Sequence, residues 1–162
     1  MSAIPAPHEA ARTARPDDVP ALLPLAQAAA AELRDQKGGP IWWRRERRQG
    51  DLGEALRSAL DDPVFEVVVG TLDGTAIGYA IARIERLADG GRLGVVEDIY
   101  VDPGGRAVGV GEALMDHVLA WARDQGCFGV DSLALPGDRA TKNFFESFGL
   151  VARAIIVHKP LG

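Results

Sequence analysis

Residues 95–114 read Val-Val-Glu-Asp-Ile-Tyr-Val-Asp-Pro-Gly-Gly-Arg-Ala-Val-Gly-Val-Gly-Glu-Ala-Leu, a spacing suited to two kinds of chemistry. Its second half can hold an anion. Where a helix begins, the first N–H groups lack internal partners and the helix dipole favours negative charge. Gly109 and Gly111 let a phosphate come close to those amides, Arg106 adds a fixed positive charge, and Val108 and Val110 can anchor the loop from beneath. A pyrophosphate is the natural guest. The first half supplies carboxylates, Glu97 and Asp98, that could take a proton from a reacting group. As neighbours on a strand they should face opposite ways, so only one can serve a given site. Glu97 is the candidate base, on the face of Ile99 and Val101; a surface or ion-paired carboxylate is the competing reading for both.

Other phosphate loops do not fit. A P-loop needs Lys and then Ser or Thr after its last glycine, where this chain has Glu112 and Ala113. A dinucleotide fingerprint needs a third glycine where Leu114 stands, and a parallel βαβ unit at the start of the chain.

The elements that must position this segment can be read from periodicity. After an extended piece near Thr13, Asp17 or Asp18 caps a helix that carries Val19, Leu22 and Ala26 and ends near Asp35. A second helix spans 51–60 and stops at Pro63. Strands at 64–70 and 75–87 are joined by Asp73-Gly74, a tight-hairpin dipeptide, and a third follows at 93–101. A helix over 110–124, a strand over 130–135, a helix over 139–148 and a final strand over 150–158 complete the chain. The expectation is an α/β (α+β) domain: a mixed, mostly antiparallel sheet with helices on both faces, in the order βααβββαβαβ.

Composition narrows the function classes. The 162 residues suit one domain, placed at 12–162 after a flexible tail at 1–11. A net charge of -5 gives no overall pull toward nucleic acid, and no apolar run approaches the roughly 20 residues that span a bilayer. The single cysteine, Cys127, forms no internal disulfide and fits a reducing cytoplasm. His117 and His158 have no neighbouring ligands in sequence, so no metal is expected.

The run Arg106-Ala107-Val108-Gly109-Val110-Gly111 resembles the pyrophosphate loop of the GNAT superfamily: Arg or Gln, two residues, Gly, one residue, then Gly or Ala. The preceding Glu-Asp-Ile-Tyr-Val-Asp-Pro and the later Asn143-Phe144-Phe145-Glu146-Ser147-Phe148-Gly149-Leu150 resemble that family too. The resemblance implies an N-acetyltransferase that uses acetyl-CoA. Backbone amides from Val108 to Ala113, with Glu112 among them, would hold the pyrophosphate beside Arg106 and Ala107. Ile99, Tyr100 and Val101 would border the pantetheine arm, where the strand at 95–101 splays from that at 130–135. The Ile99 region would supply the oxyanion donor, and Glu97 the base, through water.

Two positions depart from the family. Many members have a tyrosine acid where Phe145 stands, and a phenyl ring donates no proton; Asn143 remains to offer an amide to the pantetheine in place of Asp138. A thiol with a pKa near 8.5 leaves without much help, so transfer survives that loss. Trp42 and Trp43, in a glycine-hinged segment, line an acceptor site or pack inward; Arg44, Arg45, Arg47 and Arg48 read as a solvated helix face. Two function classes stay open: an acetyltransferase for an amine of unknown identity, and a non-catalytic acyl-CoA-binding module. A homodimer is compatible with either.

Overall fold

Five strands form one sheet in the order β1-β2-β3-β4-β5, and their bounds follow the apolar runs. The computed structural model describes residues 3–106 and 109–162. β1 (Glu9–Thr13), β2 (Phe65–Leu72), β3 (Thr75–Arg86) and β4 (Arg92–Val101) pair antiparallel in succession, and β5 (Gly129–Ser132) adds to β4 in parallel. The helices are α1 (Val19–Arg34), α2 (Gly39–Arg45), α3 (Leu52–Asp61), α4 (Val110–Asp124) and α5 (Arg139–Ser147).

Alternation along β2 and β3 splits the core in two. Val67, Val69, Tyr79 and Ile81 pack with Leu22 and Ala26 of α1 and Leu56 of α3 on one face. Val68, Ala80 and Ala82 pack with Leu114, Met115 and Val118 of α4 and Phe145 of α5 on the other. The expected helices on both faces of a mostly antiparallel sheet are present.

Four departures from the sequence reading matter. The segment with the paired tryptophans is a short helix, α2, with Gly39 and Pro40 as its first two residues; proline fits there because its missing N–H would lack a partner anyway. β1 starts at Glu9, earlier than the extended piece expected near Thr13. The expected strand over 150–158 does not form. Residues 151–162 have no regular structure and are exposed, and Arg153 pairs with Asp131 of β5. Val151, Ile155, Ile156 and Val157 have strand propensity, but propensity without a backbone partner makes no ladder.

The fourth departure concerns β4. Ile81 pairs with Asp98 and Ala82 with Val96, so Glu97 is an extra residue, a β-bulge. Val96 and Ile99, three residues apart, both pack on the α4 face, a parity that a regular strand forbids.

Leu114 is fully buried where α4 crosses the sheet. Leu114→Ala should cost about 2–5 kcal/mol, read as a lower urea midpoint at unchanged slope.

Candidate functional site

The bulge overturns the expected facing of the two acids. Glu97 does not share the face of Ile99 and Val101, and Glu97 and Asp98 do not diverge: one guanidinium reaches both. Arg48 Nη1 donates to Asp98 Oδ1 at 2.5 Å and Nη2 to Glu97 Oε2 at 2.6 Å. The remaining oxygens are also engaged, Asp98 Oδ2 by the Tyr79 hydroxyl at 2.9 Å and Glu97 Oε1 by Arg83 Nε at 2.6 Å. The extra residue turns Asp98 toward the side of α1 and α3 and leaves Glu97 beside it.

The electrostatics follow from depth. Burial works against the Arg48 charge, yet the carboxylates of Asp98 and Glu97 outweigh it and the guanidinium titrates above its ordinary value. Tyr79 is wholly buried; desolvation first and the Asp98 charge second hold its hydroxyl proton well above the usual tyrosine value. Beside this network lies a cleft of about 300 Å³, bordered by Arg48, Ala55, Ser58, Phe65 and Glu97.

β4 also changes partners here. Its pairing with β5 ends at Val96–Ser132, so Asp98, Ile99, Tyr100 and Val101 pair with β3 on one side and have no β5 on the other. β5 itself ends at Ser132, short of the expected residue 135, and an extended ligand can bond to the edge of β4 left free. Arg106 donates to the Val101 carbonyl at 2.8 Å, pairs with Glu32 at 2.8 Å and lies over the Tyr100 ring at 5.2 Å. Arg106 thus braces the end of β4 against α1. Its hydrogen bond to Glu32 raises its pKa.

α4 starts just beyond. Gly109 precedes it at φ 84°, a left-handed conformation that suits glycine, and no side chain caps the first turn. The amides of Val110, Gly111 and Glu112 therefore lack helical partners, while that of Ala113 bonds to the Gly109 carbonyl at 3.0 Å. A Cβ on Gly111 would stand 3.3 Å from Phe144, so this glycine admits α5 as well as a ligand. Ala107 and Val108, two expected cofactor residues, lie outside the described residues.

Other candidates are placed differently. Phe145 is buried in the core beside α4, whereas Asn143 is exposed. Asp138 caps α5, accepting from the Thr141 amide at 3.1 Å. Trp43 is stacked between Arg47 at 3.9 Å and Arg34 at 5.2 Å, and neither Trp42 nor Trp43 borders the cleft. Arg48, expected on a solvated helix face, instead lies past the end of α2, and the meeting of Arg48, Tyr79 and Arg83 on the two acids was not foreseen. Nothing in the arginine run of 44–48 sets Arg48 apart, and a bulge leaves no periodicity signal.

Comparison with known proteins identifies the family. A family model described as "Acetyltransferase (GNAT) family" matches residues 26–150. The chain is 29% identical over 121 residues to an aminoglycoside N(6')-acetyltransferase type 1 of Klebsiella aerogenes, covering 72% of this chain and 80% of that protein. It is 39% identical over 123 residues to a mycothiol acetyltransferase of Clavibacter michiganensis, covering 74% of this chain but only 34% of that protein. Among solved structures, the aminoglycoside N-acetyltransferase AAC(6')-Iy in complex with CoA aligns with a TM-score of 0.76 at 19% identity, over 99% of this chain and 100% of that one.

Tyr79→Phe removes a buried donor from Asp98 and should cost about 1–3 kcal/mol near neutral pH, read by denaturant melts. Because the folded state raises the Tyr79 pKa, its contribution is fully present below the unfolded value near 10 and falls away as pH rises beyond it. The wild type should lose stability above about pH 10 more steeply than Tyr79→Phe.

Proposed function

We propose that this chain, which belongs to the acetyltransferase (GNAT) family, is an N-acetyltransferase that moves an acetyl group from acetyl-CoA to a primary amine of a small molecule or of a protein or peptide. The observation that carries this is the coincidence of three features at one place: the end of β4–β5 pairing at Val96, the Glu97 bulge, and the uncapped first turn of α4. The free amides of Val110, Gly111 and Glu112, with Ala113 next to them, form a cradle that suits a diphosphate. Arg106 steadies the end of β4 against α1. The open edge of Ile99, Tyr100 and Val101 receives the pantetheine arm, and Asn143 and Phe145 belong to the α5 side of it.

Chemistry then follows from placement. The acceptor amine must be neutral when its nitrogen attacks the thioester carbon. Its proton passes through water to Glu97, the backbone amide near Ile99 steadies the oxyanion, and the carbon–sulfur bond breaks to release a thiolate that water protonates. The 300 Å³ cleft beside Glu97 is the acceptor side, with Trp42 and Trp43 on the neighbouring α2. The aminoglycoside relatives put aminoglycosides at the head of the acceptor panel.

A second reading draws on one observation: both Glu97 oxygens are held by guanidiniums, which suits a non-catalytic acyl-CoA-binding module. Thiol release from acetyl-CoA with an amine panel separates the two. Turnover is expected, and Glu97→Gln should lower it about a hundredfold and flatten its rise with pH. Tight CoA binding without turnover of any amine would favour the module.

A further inference from the structure

The connection between α2 and α3, residues 46–51, is fastened to the sheet by a side chain. Within it, Arg47 Nε donates to the Trp43 carbonyl at 3.2 Å and Gln49 Nε2 to the Arg47 carbonyl at 2.8 Å. Among the described residues, no backbone hydrogen bond joins residues 48–50 to the sheet. Arg48 crosses that gap to grip Glu97 and Asp98. Arg83, the other cation on Glu97, stands on β3 inside the sheet and cannot move with a loop.

This grip occupies the acids that a cationic acceptor would use. Each Glu97 oxygen accepts one guanidinium N–H and keeps a second acceptor site, so the contest is between cations for the same carboxylates. Of the two guanidiniums, that of Arg48 is the one on a movable support.

We infer that Arg48 determines acceptor specificity: in the free protein its guanidinium fills the place between Glu97 and Asp98 that a cationic group of the acceptor takes, and it withdraws when that acceptor binds. The inference rests on the acetyl-transfer reading above. Charge fixes the class of acceptor. Two guanidiniums face three carboxylates, Glu97, Asp98 and, through Arg83 at 3.6 Å, Glu85, so withdrawal of Arg48 takes one positive charge from the balance of a half-buried acidic site. A hydroxyl cannot restore that balance, whereas an ammonium brings one positive charge and three donors. The reacting nitrogen must be neutral to attack, so it cannot also be this cation. The acceptor therefore carries at least two amines, one to react and one to stay charged.

The test compares wild type with Arg48→Ala and Arg48→Lys, using kanamycin and 1,4-diaminobutane as polyamines and benzylamine as a monoamine. Thiol release gives KM and kcat separately, calorimetry on the CoA-bound protein gives Kd for kanamycin, and CoA affinity reports folding. Without its internal competitor, the protein should bind polyamines about tenfold more tightly in both KM and Kd. Benzylamine should show no such gain. Arg48→Lys keeps the charge but loses the two-pronged grip, so it should move the same way and serves if the alanine variant does not fold. Unchanged or weaker polyamine binding, or an equal effect on benzylamine, would overturn the inference and make Arg48 a structural brace. Should wild type acetylate none of the three amines, the acetyl-transfer reading is what fails, while calorimetry still decides whether Arg48 competes with a polycation.

Discussion

One inserted residue in β4 governs the rest of the site. A strand alternates its side chains, so an extra residue at Glu97 shifts everything after it by one place. Val96 keeps to the α4 face, Ile99 joins it there, and Asp98 turns to the side of α1 and α3. The same point is where β5 stops pairing. β3 stays paired across the bulge while β5 ends beside it, so the extra residue and the free edge fall together along β4. The unpaired edge of β4 and the paired acids beside it thus meet at a single irregularity.

Around that irregularity the fold assembles charge that an unbulged strand would scatter. All four oxygens of Glu97 and Asp98 have donors, from Arg48, Arg83 and Tyr79. Carboxylates taken out of water need such partners, because an unpaired charge in a low-dielectric site costs several kcal/mol, an order-of-magnitude figure. Full pairing makes the resting state stable and leaves the acids occupied. At the other end of β4, Arg106 ties the strand terminus to α1. The site is held from two sides, one built of backbone and the other of ions.

Much of this architecture was legible in the amino-acid sequence. The helix over 110–124, the hairpin at Asp73-Gly74 and the glycine-bearing loop before α4 lie where periodicity and turn chemistry put them. These are local signals, fixed by neighbours along the chain. What could not be read depends on distant partners. The bulge arises from how β4 meets β3, so strict alternation assigned Glu97 to the wrong face. Arg48 looks like its arginine neighbours until a carboxylate 49 places away meets it. The segment over 150–158 has a strand's composition, but composition cannot supply the ladder.

That last segment has a bearing on how the molecule behaves in a tube. Ile155, Ile156 and Val157 are each more than 70% exposed, and Phe128 and Leu133 are bared at either end of β5, a border strand of the sheet. A short β-branched run without charge is the kind of sequence that stacks into cross-β fibrils, and a bare strand border is the template on which stacking begins. The molecule carries both, and its net charge of -5 is the repulsion that opposes them. Salt screens that repulsion and leaves the oily tail unchanged, so concentrated, high-salt stocks are where clumping sets in first.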